Sequence, residues 1–122
     1  MFFPVSGWFV AFVLTVALEA PVVLYLLRRA EPSRLRLGLL VVFANLATHP
    51  VVWYVITQLL LVGTPGYVLV AETWAIAVEA VFYGAVVRGL SVRRAIAVAV
   101  TANAMSFLAG RLIGVLWPDL IR

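Results

Sequence analysis

Three glutamates, Glu19, Glu72 and Glu79, lie inside long apolar stretches of this 122-residue chain. A carboxyl group surrounded by apolar side chains can bind and release a proton near neutral pH, or hold a cation. Placing a carboxylate in a membrane costs about 2.5–3.5 kcal/mol, whereas an interhelical hydrogen bond there returns only about 0.6–2 kcal/mol. The glutamates therefore favour proton or cation handling, and the alternative is that they only clip helices together.

Two asparagines are spaced to meet two of these glutamates. Glu19 precedes Arg28 by nine residues, which is about 13 Å along a helix. Asn45 lies at a similar depth in the next apolar stretch, and Glu79 and Asn103 repeat this relation in the second half of the chain. Since an amide can donate to a carboxylate or accept from a carboxylic acid, the spacing predicts two Glu–Asn pairs.

The polar residues indicate an internal repeat of two helical hairpins. A shift of 60 residues, which becomes 58 after a two-residue deletion, superposes the following pairs: Glu19 on Glu79, Arg28 on Arg88, Arg36 on Arg94, Asn45 on Asn103, and Thr48 on Ser106. Both copies run in the same direction across the membrane, which is typical of parallel repeats. Coincidence among apolar helices is the alternative.

The third apolar stretch carries a polar stripe. Glu72 and Glu79 are seven residues apart, and Tyr83 follows Glu79 by four, so the three side chains share one helix face. Arg111 in the fourth stretch lies at the depth of Glu72, which predicts a Glu72–Arg111 ion pair. That pair neutralises charge or, alternatively, forms an outer gate.

His49, the single histidine, follows Asn45 by four residues and shares its helix face. It either lines a polar site or packs as a hydrogen-bonded core residue. Ser106, Gly110 and Gly114 form a small-residue stripe that lets helices approach closely, within one molecule or between two copies.

Four apolar stretches of about 20 residues or more position these groups. With 66% hydrophobic and 11% charged residues, the composition predicts an all-α integral membrane protein and excludes a soluble enzyme. The stretches run from about Val5 to Leu27, Leu37 to Val62, Tyr67 to Val87, and Ala95 to Trp117. We expect one membrane domain over 1–122, with the hairpin repeats at about 5–62 and 67–117.

The arginines predict the orientation. Two predicted loops, 28–36 and 88–94, hold seven of the nine arginines, and short cytoplasmic loops carry such an excess. Both termini are then outside a bacterial-type inner (plasma) membrane. Because topology explains the positive charge, nucleic acid is not an expected partner. The chain has no cysteine, which excludes disulfides and thiolate chemistry.

The polar residues favour a small transporter or channel for a proton, a cation or a proton-coupled small substrate. The expected path runs from Glu72 through His49 to Glu79 and Glu19, with Asn45 and Asn103 as polar partners. Four helices leave little room for a pore, so we expect a homo-oligomer, with a dimer favoured. The alternatives are an accessory subunit of a membrane complex and a lipid-modifying enzyme. No metal or other cofactor is expected.

Overall fold

The computed structural model describes residues 5–119 and consists of four long helices in that range. Helix α1 is Val5–Leu26, α2 is Arg34–Val51 with an extension to Leu59, α3 is Pro65–Val86, and α4 is Val92–Leu116. No strand occurs in the described part of the chain. Each helix is long and apolar enough to span a membrane, which confirms the prediction of an all-helical chain with four apolar helices of that length.

Three helices begin at a hydroxyl side chain, and two of these starts correct the sequence boundaries. Ser33 and Ser91 accept hydrogen bonds from the backbone N–H groups of Arg36 and Arg94, both at 3.2 Å. These N-caps start α2 and α4 three residues before the predicted positions. Consequently Arg36 and Arg94 lie in first helical turns rather than in loops. Thr64 caps α3 in the same way, with a proline in the first helical turn.

Helix α2 changes geometry after Pro50. Residues Val52–Ile56 form a π-helical turn, and a last α-helical turn, Thr57–Leu59, follows. Proline removes a backbone donor and its ring crowds the preceding turn, so the wider π turn begins where the regular hydrogen-bond ladder is weakest. The helix ends at Leu59 rather than at the predicted Val62, because Leu60 has extended backbone angles.

The four helices pack as a ring in sequence order. The main contacts join α1 to α2, α2 to α3, α3 to α4, and α4 back to α1. The connections between the helices are short, which makes neighbouring helices antiparallel. Residues of all four helices therefore face one central axis.

The outer surface of the bundle is apolar, and so is one half of its interior. Large hydrophobic side chains are exposed on every helix, among them Phe9, Phe43, Leu69 and Leu108. A continuous apolar surface of this kind is typical of proteins that pack against lipid. Inside, the half next to the arginine-rich connections is filled by a tight apolar cluster that includes Leu27, Leu37, Val41, Tyr83 and Val87.

Candidate functional site

Glu19 is fully buried where α1 meets α2 and α4, and both of its carboxyl oxygens have partners. Nδ2 of Asn45 donates to Oε2 at 2.8 Å, and the Ser106 hydroxyl donates to Oε1 at 3.1 Å, with the backbone oxygen of Asn103 as a second acceptor of the same proton at 3.1 Å. Nδ2 of Asn45 also donates to the backbone oxygen of Val41 at 3.0 Å, which fixes the amide in place. Each oxygen of the Glu19 carboxyl therefore accepts a hydrogen bond from a neighbouring helix.

Glu79 has a similar environment with one difference. Nδ2 of Asn103 donates to its Oε2 at 2.6 Å and to the backbone oxygen of Ala99 at 2.9 Å. Oε1 of Glu79, however, is buried and has no hydrogen-bond partner among the described residues. The Thr48 hydroxyl lies within side-chain hydrogen-bonding reach of this carboxyl, but its single proton is directed to the backbone oxygen of Ala44 at 3.2 Å or of Asn45 at 3.4 Å.

These contacts form a polar ring that crosses all four helix interfaces. Asn45 to Glu19 joins α2 to α1, and Ser106 to Glu19 joins α4 to α1. Asn103 to Glu79 joins α4 to α3, and Thr48 approaches Glu79 between α2 and α3. We call these six residues the polar ring: Glu19, Asn45, Thr48, Glu79, Asn103 and Ser106. An unpaired polar group costs several kcal/mol in an apolar environment, so the ring favours this one packing of the bundle.

A cavity of about 280 Å³ lies on one side of the polar ring. All six ring residues line it, together with Thr15, His49, Val52, Ala71, Glu72, Ala75, Phe107, Gly110 and Arg111. Every one of these positions is level with the ring or farther from the arginine-rich connections. Because Arg111 is exposed, the cavity reaches the surface at that end, while the apolar cluster fills the opposite half. The site is thus a polar pocket that reaches the surface near Arg111.

His49 lies in the wall of this cavity at the α1–α2 interface. Its Nε2 atom is 3.2 Å from the Thr15 hydroxyl, and its buried Nδ1 atom has no partner among the described residues. Phe12 contacts the imidazole edge-on and Trp53 stacks on it, with centroid distances of 5.8 and 6.5 Å. Thr15 was missed from the sequence, although it lies one turn before Glu19 on the same helix face.

Glu72 and Arg111 both line the outer part of the cavity. Glu72 is half-buried and Arg111 is exposed. No hydrogen bond or ion pair joins them in the described range, where the ion pair present links Arg36 to Glu31 at 3.4 Å. The predicted Glu72–Arg111 pair is therefore not formed in this arrangement.

Tyr83 and Gly110 have surroundings that differ from those of the polar-ring residues. Tyr83 is fully buried but belongs to the apolar cluster, and its hydroxyl has no described partner. Gly110 lines the cavity, and a Cβ atom there would meet no atom within 4 Å. Its small size thus leaves space in the cavity instead of allowing a close helix contact within this molecule. Gly114, one turn farther, is half-buried.

Within residues 7–119 no three His, Cys, Asp or Glu side chains are grouped as metal ligands, and both asparagines direct N–H donors toward the carboxyls. No family model matches the chain, and no curated protein or solved structure shows significant similarity to it. The site itself therefore supplies the argument for function.

Proposed function

We propose that this protein is a multi-pass membrane transporter that moves a proton or a cation, or couples one to a small substrate, through its buried glutamates. One observation carries the proposal. Two fully buried carboxyls, Glu19 and Glu79, meet at the floor of a polar cavity that reaches the surface at one end. Ionisable side chains inside membrane segments are rare, and they typically mark ion or proton pathways.

Membrane insertion with both termini outside is part of this proposal. Four helices of sufficient length and hydropathy support it, as does the excess of arginine at the two connections near Arg28 and Arg88. In this orientation the cavity faces the outside of a bacterial-type inner membrane, and the apolar cluster lies on the cytoplasmic side.

A tandem repeat of two hairpins accounts for the paired chemistry of the site. Glu19 and Asn45 on α1 and α2 make the same contact as Glu79 and Asn103 on α3 and α4, including the second bond from each amide to the carbonyl four residues earlier. Two related hairpins that share one polar centre can move against each other around it, which is how repeat-built transporters alternate access.

Such a movement is needed because the apolar cluster separates the polar ring from the arginine-rich end. We propose that the hairpins, within a homodimer, rearrange so that Glu19 and Glu79 become accessible from that end. The π-helical turn Val52–Ile56 is a suitable place for α2 to bend, since such turns interrupt the regular ladder and are frequent at functional sites.

The test is ion flux in proteoliposomes containing the Glu19→Gln and Glu79→Gln variants. Glutamine keeps an oxygen that can accept from Asn45 or Asn103, so the packing is retained while the titrating charge is removed. We expect proton-coupled or cation flux to fall by about tenfold or more in each variant, the size expected when a charged hydrogen-bonding group is lost from a site. Survival of every measured flux in both variants would overturn the proposal.

Glu31→Gln is the matched control. Glu31 lies outside the cavity in the α1–α2 connection, where it pairs with Arg36. Its substitution removes the same charge by the same chemical change and leaves the polar ring intact. Flux of this variant should equal that of the unmodified protein. The molecular mass of the purified protein in mild detergent reports the oligomeric state.

A further inference from the structure

The cavity contains two acceptor groups that the protein itself does not satisfy. Oε1 of Glu79 is buried at the floor without a partner, and the Glu72 carboxyl lines the outer part without a hydrogen bond or ion pair among the described side chains. Glu19 differs, because both of its oxygens accept hydrogen bonds. The free acceptors are therefore one deep carboxyl oxygen and one shallow carboxyl group on the same helix.

The spacing of these two carboxyls sets the distance between the two donor groups of a ligand that contacts both. Glu72 and Glu79 are separated by seven residues of α3, which is two helical turns and about 10 Å along the axis. Hydrogen bonds of about 2.8 Å from each carboxyl to a ligand nitrogen leave roughly 5 Å or more between two such nitrogens. An extended four-carbon diamine, with bonds of about 1.5 Å, separates its nitrogens by about 6 Å.

The charge of the cavity matches the same ligand. Three carboxyls (Glu19 on α1, Glu72 and Glu79 on α3) and a single arginine (Arg111 on α4) line it. An ammonium group beside Glu72 or Glu79 stabilises the ionised form of that carboxyl, and in the fully ionised state, with His49 on α2 neutral, the net charge of the lining is two negative. The carboxylates also repel each other, and a ligand with two positive charges relieves that repulsion. Alkylammonium groups, like the lysine side chain with a pKa of about 10.4, remain protonated near neutral pH.

We propose that the cavity binds a small linear diammonium ion, with one ammonium group donating to Oε1 of Glu79 and the other to Glu72. The proposal rests on the proposed transport function and names its substrate class. The apolar lining from Ala75, between the two carboxyls, and from Ala71, next to Glu72, contacts the methylene chain. Glu19 is a positioning residue that contributes negative charge from a fixed place. The cavity volume of about 280 Å³ accommodates a chain of four to six carbons.

The experiment is equilibrium binding to the purified full-length protein in detergent, measured by calorimetry. The probes are 1,4-diaminobutane, 1,6-diaminohexane, 1-aminobutane and the uncharged 1,4-butanediol. We expect at least one diamine to bind about tenfold more tightly than 1-aminobutane, since a charged hydrogen bond to Glu72 is worth that factor. We expect no binding of the diol. Equal affinity for the monoamine and both diamines would overturn the proposal.

Two variants assign the two ends of the ligand. Glu72→Gln should remove the advantage of the diamines and leave 1-aminobutane within about twofold, because that residue holds only the outer ammonium group. Glu79→Gln should weaken all amines by about tenfold or more. Glu72 is half-buried outside the polar ring, so its substitution leaves the fold intact even where Glu79→Gln proves unstable. A diamine preference that persists in Glu72→Gln would contradict the assignment.

Amine binding in detergent tests the diammonium site, and ion flux in proteoliposomes tests the transport function, so the two proposals can fail separately. If no amine binds in detergent while proton flux in proteoliposomes still depends on Glu79, the diammonium site is wrong and proton transport stands. If amines bind with the expected Glu72 dependence but no flux is found, the protein is a diamine-binding protein and the transport proposal is wrong. Failure of both measurements rejects both.

Discussion

Asn103 donates a 2.6 Å hydrogen bond to one oxygen of Glu79, and the other oxygen of that carboxyl has no partner among the described residues. The equivalent carboxyl, Glu19, accepts one hydrogen bond on each oxygen, from Asn45 and from Ser106. Two glutamates with similar sequence surroundings therefore differ in what they can still bind. Glu19 has a hydrogen bond on each carboxyl oxygen, whereas Glu79 has one oxygen free to accept a hydrogen bond from a ligand. This difference should be measurable as a difference in chemical reactivity.

A hydrophobic carbodiimide should modify Glu79 faster than Glu19. Such reagents attack carboxyls in apolar surroundings, and a free oxygen reacts more readily than one engaged by a donor. Peptide mass spectrometry after timed labelling gives the two rates. Ser106→Ala removes the donor to Oε1 of Glu19 and should raise the labelling of Glu19 alone. Equal labelling of both residues in the unmodified protein would contradict the asymmetry.

Replacing Asn45 by leucine should destabilise the bundle. The substitution keeps the branching at Cγ, although leucine is larger, and leaves Oε2 of Glu19 without its donor, which costs about 1–3 kcal/mol for a buried acceptor. Reversible unfolding in mixed detergent micelles measures the change. The double variant Glu19→Leu/Asn45→Leu should recover much of that loss, because both partners become apolar together.

Thr101→Val is the control for this comparison. Thr101 is exposed on α4 and bonds only to the backbone oxygen of Ala97, at 2.7 Å. Its substitution should change the unfolding free energy by less than about 0.5 kcal/mol. If the double variant proves stable but inactive in flux, the buried carboxyl is retained for activity at a cost in stability. A double variant less stable than Asn45→Leu would show that the pair itself holds the bundle together.

Gly110→Leu should block the cavity without unfolding the protein. Gly110 lines the cavity in open space, so a larger side chain fills volume that a ligand needs. Replacing a glycine inside a helix also adds helix propensity, by up to about 1 kcal/mol. Loss of amine binding and flux with an unchanged or higher melting temperature is the expected result. Gly38→Leu, at another open helical position, is the matched control and should retain both activities.

Cysteine labelling tests the orientation on a background free of thiols, since the chain contains no cysteine. Pro32→Cys in the α1–α2 connection and Leu61→Cys in the α2–α3 connection are both at exposed positions. A membrane-impermeant maleimide applied to intact cells should label Leu61→Cys only. Pro32→Cys should react only after the membrane is opened. The reverse pattern would invert the orientation and place the cavity on the cytoplasmic side.

The sequence was sufficient to predict the contacts that depend on depth along a helix. Because the helical rise is fixed, nine residues from an arginine locate both Glu19 and Glu79, and the structure pairs each with the expected asparagine. The link from Ser106 to Glu19 was not predictable, because it depends on α4 packing beside α1. Contacts within a hairpin follow from counting residues, whereas those between hairpins require the lateral order of the helices.

Local hydrogen-bond chemistry explains the other differences. The N-caps at Ser33 and Ser91 could have been recognised from the serine that precedes each helix by one residue. The π-helical turn Val52–Ile56 could not, since Pro50 indicates a disturbed helix without specifying how the chain absorbs it. The one-sided cavity arises from small side chains such as Ala71, Ala75 and Gly110 meeting around polar groups, which only the packed bundle shows.

The apolar cluster beneath the polar ring has an electrical consequence for a membrane-inserted protein. The nine-residue separation of Glu19 and Arg28 makes this cluster about 13 Å deep, and because its side chains are apolar it takes most of the voltage across the bilayer. In the proposed transport cycle, a charge that reaches Glu79 through the hydrated cavity would cross little of that field. Passage through the cluster then involves nearly the full drop, about 2.3 kcal/mol per elementary charge at 100 mV. Ligand capture should accordingly be insensitive to membrane potential, and the inward step should depend on it steeply.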